Sequence, residues 1–203
     1  SEKSLGIFEK DFSVCFYDEE LEALLNREKS IWRALSSVAA NDNDNNLFLL
    51  FQPIFDVKSS SVCGFEALAR LKTDELGLVS PDEFIPIAEK TKLIIPIGEK
   101  VFVKAFRFLN KLGALGYDNI GVSVNVSVVQ LLQPDFISRL FALMDEMKVN
   151  PKNIGIEITE SVFAYDYVKV NNTIEELRKA GLHISIDDFG TGYSSLARLR
   201  ELE

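Results

Sequence analysis

The stretch Gly121-Val122-Ser123-Val124-Asn125-Val126-Ser127 governs how the rest of this chain is read. Its valines alternate with small or polar residues, the period-two pattern of a strand with one face in an apolar core and the other among polar groups. On that pattern Ser123, Asn125 and Ser127 share the polar face. The alternation recurs downstream: Ile154, Ile156 and Ile158 oppose Gly155, Glu157 and Thr159, and Ile184 and Ile186 oppose His183, Ser185 and Asp187. An amide or a carboxylate thus falls near the C-terminal end of each strand, on the face turned away from the apolar one. Asn125 to Glu157 is 32 residues and Glu157 to Asp187 is 30, the length of one strand-plus-helix unit each.

Outward from this stretch, strand-like segments at 47–57, 62–69, 121–128, 154–159 and 183–187 alternate with helix-like ones at 81–91, 98–112, 134–147 and 167–180. Such alternation predicts a parallel sheet built of βαβ units. Polar groups converging at successive strand ends favour a TIM-type (β/α) barrel, whose site lies at that face, over a doubly wound sheet. Five visible strands from Leu47 onward are fewer than the eight of a closed barrel, so the barrel is expected to be incomplete here.

The first 46 residues read differently. Leu21, Leu24, Leu25, Ile31, Leu35 and Val38 recur close to helical spacing over 18–40, with Asp18 available as a cap, which predicts an amphipathic helix. The run Asn41-Asp42-Asn43-Asp44-Asn45-Asn46 ends it with six turn-forming residues. A boundary is expected there, between a connector at 1–46 and the partial barrel at 47–203.

Composition narrows the chemistry. The 203 residues are 47% hydrophobic and 26% charged, the make-up of a chain with material for a sizeable core. The net charge of −9 repels a polyanion and disfavours nucleic-acid polymers as partners. Cys15 and Cys63 form no Cys-x-x-Cys pair, which excludes a zinc ribbon and fits a reducing, cytoplasmic location. His183 is the one histidine, so sites needing two are excluded, and no nucleophile motif supports a Ser-His-Asp triad; it is assigned no role. No apolar run approaches the roughly 18 residues of a membrane span, and no membrane contact is expected.

Metal chemistry here would have to rest on oxygen donors. Glu66, Asn125, Glu157, Asp187 and Asp188 together offer four carboxylates and an amide, a set suited to Mg²⁺ or Mn²⁺. Adjacent aspartates suit a pair of ions about 3.5–4 Å apart, which stabilise the attacking and leaving oxygens in phosphoester cleavage. Any one of these residues alone is as readily a strand-end carboxylate satisfied by a helix N-terminus or an arginine; five in matching strand phase argue for a site. Asp188-Phe189-Gly190 lacks the glycine loop and His-Arg-Asp that a kinase needs, and Gly190-Thr191-Gly192 is too short for a dinucleotide fingerprint.

Five ordered blocks strongly resemble the EAL-domain family of bacterial cyclic di-GMP phosphodiesterases. They are Phe51-Gln52-Pro53-Ile54, Glu66-Ala67-Leu68-Ala69-Arg70, Val124-Asn125-Val126-Ser127 with Gln130, Glu157-Ile158-Thr159-Glu160, and Asp187-Asp188-Phe189-Gly190-Thr191-Gly192-Tyr193-Ser194-Ser195-Leu196. The tripeptide alone decides nothing, since Glu22-Ala23-Leu24 repeats it on the amphipathic helix, where a solvated face is expected. The resemblance implies hydrolysis of cyclic di-GMP to linear pGpG by two metal ions. It implies Glu66, Asn125, Glu157 and Asp187 as ligands, Asp187 bridging and Asp188 belonging to the second ion, with Glu66, Asp187 and Asp188 at the catalytic centre. Arg70 and, more weakly, Gln52 would contact nucleotide, although Arg70 is equally placed to pair with Asp74. Glu160 and Thr191 would stabilise a loop linking substrate, metal and dimerisation.

The segment Phe16-Tyr17-Asp18 with its helix resembles the connector that follows a GGDEF domain, which implies such a domain upstream. The family's pattern continues with a lysine and a second-metal glutamate that have no counterpart before Glu203. The chain is therefore expected to be a piece of a longer enzyme, itself of negligible activity, and to cover its open edge as a homodimer. The rival reading is a cyclic di-GMP receptor or scaffold without turnover.

Overall fold

The computed structural model describes residues 19–40, 44–159 and 167–187. In chain order these form α1 (Glu19–Ala39), β1 (Leu47–Asp56), β2 (Ser61–Thr73), β3 (Gly77–Val79), α2 (Pro81–Lys90) and α3 (Ile94–Ala114). Then follow β4 (Gly121–Asn125), α4 (Val128–Leu131), α5 (Phe136–Met147), β5 (Ile154–Thr159), α6 (Tyr167–Lys179) and β6 (His183–Asp187). One sheet runs in the order β1-β2-β4-β5-β6, with β3 also paired to β2. Among the described residues it is open, β1 and β6 forming its edges.

The expected parallel sheet holds from β2 onward, where β2, β4, β5 and β6 are mutually parallel. It fails at β1, which is antiparallel to β2. Residues 57–60 are too short for a crossover, so the two strands can only fold back as a hairpin. Asp56 closes that turn: its Oδ1 accepts from the Lys58 N–H at 2.8 Å and its Oδ2 from the Ser59 hydroxyl at 3.1 Å. Those bonds, the Lys58 N–H foremost, hold the Asp56 carboxyl below the usual carboxylate range.

Val122, Val124, Ile154, Ile156 and Ile158 are all buried on the helix side of the sheet, as their alternation predicts. Ala67 and Leu71 continue that face on β2, and Phe84, Ile97, Phe106 and Ile174 pack over it from α2, α3 and α6. Each large side chain so buried contributes roughly 1.5–3 kcal/mol. Phe108 of α3 stacks on Phe51 at 3.7 Å between ring centroids and meets Phe65 edge-on at 5.3 Å, which pins α3 across the hairpin.

Three expectations about elements need correction. The apolar stripe of α1 is not continuous: Ile31, Leu35 and Val38 are buried, but Leu24 and Leu25 stay exposed along with Trp32. Ion pairs Arg27–Glu83 at 2.8 Å and Lys90–Glu28 at 3.4 Å tie the same helix to α2, and Ile31, Leu35 and Val38 join the chain's own core. Helix α3 begins at Ile94 rather than at Gly98, because Pro96 falls in the first turn, where no backbone N–H is needed. Strand β4 stops at Asn125, and Ser127, read as a strand residue, is the N-cap of α4. The Asp18 cap lies outside the described residues.

Leu35→Ala should lower unfolding free energy by about 2–5 kcal/mol, because Leu35 has no exposed surface. Leu24→Ala, at 65% exposure, should change it by no more than about 0.5 kcal/mol. Urea unfolding of both variants checks this, and equal losses would contradict the half-docked helix.

Candidate functional site

Strand register assembles the site. Gln52 of β1 lies opposite Glu66 of β2, and Glu66 lies opposite Ser123, two residues before Asn125. Asn125 lies opposite Glu157, Glu157 opposite Ser185, and Thr159 opposite Asp187. Residues paired across a sheet share a face, and so do residues two apart on one strand. Gln52, Glu66, Asn125, Glu157 and Asp187 therefore occupy one face, the one away from the helix-side core, toward the C-terminal end of the parallel ladder. Arg70 belongs to this face as well, opposite Phe48 and four residues beyond Glu66.

Contacts sharpen the picture. The Asn125 amide Nδ2 donates to Glu66 Oε1 at 2.7 Å, a charge-assisted bond that joins neighbouring strands. It uses the amide nitrogen, so Oδ1 retains its role as an oxygen donor. One residue on, the Val126 N–H donates to the Glu157 carbonyl at 2.8 Å and holds β4 against β5. One pair back along the same face, a Cβ on Gly155 would come within 2.4 Å of Ser123 Oγ, so a side chain there would push Ser123 aside. Half-buried Arg70 donates from Nη1 to the Ala69 carbonyl at 2.9 Å and forms no ion pair with Asp74, which removes that alternative.

Carboxylates on β2 and β5 with an amide on the strand between them form an oxygen donor set of the kind hard divalent cations take. This donor chemistry fits Mg²⁺ or Mn²⁺. Among the described residues, no three His, Cys, Asp or Glu side chains form a cluster by themselves. Asp187 is placed through its backbone at the end of β6, and Asp188, Glu160 and Thr191 lie outside the described residues. Glu22 and Ala23 of the second tripeptide copy are exposed, in keeping with a solvated face.

Sequence alone does not single out Glu89, marks Gln130 only as part of the third block with no role, and sets Ser127 on the strand. The signal was present: Ser127 with Gln130 three residues later is the spacing of a capping box, in which each side chain bonds the other's backbone at a helix start.

The sequence pattern of the EAL domain matches residues 34–203, and the chain belongs to that family. The match begins within α1. The chain is 38% identical over 185 residues to the Escherichia coli K12 protein named "Probable cyclic di-GMP phosphodiesterase PdeI", covering 89% of this chain and 23% of that protein. Curated relatives are generally matched over about a quarter of their length. Among solved structures, the PaMucR phosphodiesterase in complex with cyclic di-GMP aligns with a TM-score of 0.78 at 32% identity, over 85% of this chain and 69% of that one. The EAL enzyme Bd1971 with cAMP and cyclic di-GMP bound aligns with a TM-score of 0.78 at 30% identity, over 91% of this chain and 49% of that one. The fold is thus that of the EAL structures, with the sheet open among the described residues.

In Glu66→Ala the Asn125 side-chain amide should lose its charged acceptor, shifting its proton resonances upfield and exchanging faster with water. Heteronuclear NMR of the Asn125 side chain checks this. Unchanged resonances would show that the bond is not formed in solution.

Proposed function

We propose that this chain forms the first part of an EAL phosphodiesterase domain that opens one phosphodiester bond of cyclic di-GMP with water, giving linear pGpG. The observation that carries the reading is the Glu66–Asn125 bond beside Glu157 on one polar sheet face, in a chain matching the EAL pattern over 34–203. The relatives' names and the cyclic di-GMP complex of PaMucR support the substrate.

In this reading Glu66, Asn125, Glu157 and Asp187 would hold Mg²⁺ or Mn²⁺, with Asp188 serving a second ion. Such ions supply Lewis-acid stabilisation of the attacking and leaving oxygens. Arg70 presents a guanidinium able to fork onto phosphate or a guanine edge, and Gln52 extends the same face toward the nucleotide. By the family's pattern Glu160 and Thr191 would stabilise a loop linking substrate, metal and dimerisation. An upstream connector at 1–46 leading from a GGDEF domain, and a cytoplasmic setting where the nucleotide is made, complete the proposal; the bifunctional name of MucR, a relative 31% identical, supports the first.

In the full-length protein, Glu157→Ala and Asp187→Ala should each cut cyclic di-GMP hydrolysis by well over the about 10–100-fold that loss of an outer partner to a metal ligand costs. Near-normal turnover in either variant would refute the ligand assignment, and a wild-type parent that binds cyclic di-GMP without cleaving it would favour the receptor reading.

Among the described residues the sheet edge at β6 is open, and Leu24, Leu25 and Trp32 are exposed. The 203-residue chain should sediment as a homodimer at micromolar concentration and release negligible pGpG, since two ions must be held to stabilise both oxygens of the displacement and the second-metal glutamate has no counterpart in its sequence. A monomer, or brisk pGpG release, would contradict this.

A further inference from the structure

Immediately past Asn125 the chain is tied down by side chains from α2 and α4 and walled by the backbone of α3. Ser127 Oγ donates to Glu89 Oε1 of α2 at 2.5 Å and accepts from the Val129 N–H at 3.2 Å. The Ser127 N–H donates to Gln130 Oε1 at 3.1 Å. Gln130 is 5% exposed, the one polar residue among the buried residues described. Its amide is pressed against α3 at Gly98, where an added Cβ would come within 1.7 Å of Nε2. Only a residue without a side chain lets α3 approach so closely.

A helix cap needs one side-chain acceptor and no more. Here the cap is bonded in addition to a carboxylate on a separate helix and clamped by the backbone of a third. The residue between, Val126, is bonded to β5 through its N–H. Asn125 is thus the last strand residue before a corner held on all sides, and its own side chain leaves toward Glu66. Small displacements of that corner translate directly into the aim of the Asn125 amide.

We infer that Ser127, Gln130 and Glu89, with Gly98 as the wall behind them, are positioning residues that set the orientation of Asn125 toward its ligand. The inference rests on the proposed role of Asn125 as a metal ligand for its consequence, and on the contacts above for its geometry. It assigns a task to the serine and glutamine of the third sequence block, which touch neither the metal donors nor the open face. It also explains why a glutamine is kept buried at a helix start where an aliphatic residue would pack.

Two readouts on the 203-residue chain test it: the NMR resonances of the Asn125 side-chain amide, and the Mn²⁺ concentration that half-broadens them. Ser127→Ala removes the link to Glu89, and Gly98→Ala displaces Gln130 without altering any bonded group. Both should move the Asn125 amide in the direction of Glu66→Ala and raise the Mn²⁺ midpoint about tenfold or more, the usual effect of losing an outer partner. Ser127→Thr, which keeps the hydroxyl, should restore both. Should Gly98→Ala not fold, Gln130→Leu removes the same bond at similar volume. An Asn125 amide unmoved in the alanine variants while their melting temperature falls would overturn the inference, leaving the network a purely structural cap. An amide that moves while the Mn²⁺ midpoint stays put would uphold the positioning and refute the metal role of Asn125 instead.

Discussion

The parallel register of β2, β4, β5 and β6 makes the chemistry of this chain a consequence of its packing. Side chains on a strand alternate, so once Val122, Val124, Ile154, Ile156 and Ile158 face the helices, Ser123, Asn125, Glu157 and Thr159 have no choice but the other face. A slip of one residue in either strand would bury a carboxylate or amide and expose valines or isoleucines. At roughly 1.5–3 kcal/mol for each large apolar side chain, the two or three so exposed cost about 3–9 kcal/mol, comparable with the whole stability of an ordinary domain, about 5–15 kcal/mol. The position of the polar row is therefore fixed by residues that do not belong to it.

That coupling explains which features were legible in the sequence. Strands β5 and β6 match their expected bounds because their isoleucines alternate cleanly and helices cover one face. Strand β1 reads as apolar almost throughout, so its content gives no direction, and only the shortness of residues 57–60 reveals a hairpin. At the end of β4, hydrophobic period and capping chemistry compete for Val126, Ser127 and Val128; the cap prevails because Gln130 and Glu89 supply bonds that continuation of the strand would forgo. In α1 the helical period is right along its length, but periodicity cannot say how far along a helix its partner extends, and the partner here is met from Ile31 onward.

The candidate site was legible in kind and only partly in geometry. Glu66, Asn125 and Glu157 fall on one face of the sheet as their strand phase predicts, and the direct bond between the first two shows how near neighbouring strands bring them. Arg70 could not be settled by spacing, since Asp74 stood four residues away; the structure gives its guanidinium to the Ala69 carbonyl instead. The network behind Asn125 was hidden because its members come from three separate segments: Ser127 and Gln130 stand in one sequence block, but nothing in their spacing brings Glu89 or Gly98 to them. Membership of the EAL family follows from the match over 34–203, whereas the division of labour among these oxygen donors is argued from their placement.

The central claim is that Glu66, Asn125, Glu157 and Asp187 converge on a divalent cation at the polar face of the sheet. Its most direct test is anomalous diffraction from crystals of the full-length protein grown with Mn²⁺ and cyclic di-GMP. The account predicts a manganese peak within coordination distance, about 2.0–2.3 Å, of oxygens from these four residues, with a nucleotide phosphate as a further ligand. Nucleotide bound with no manganese among them, or manganese held elsewhere, would contradict it.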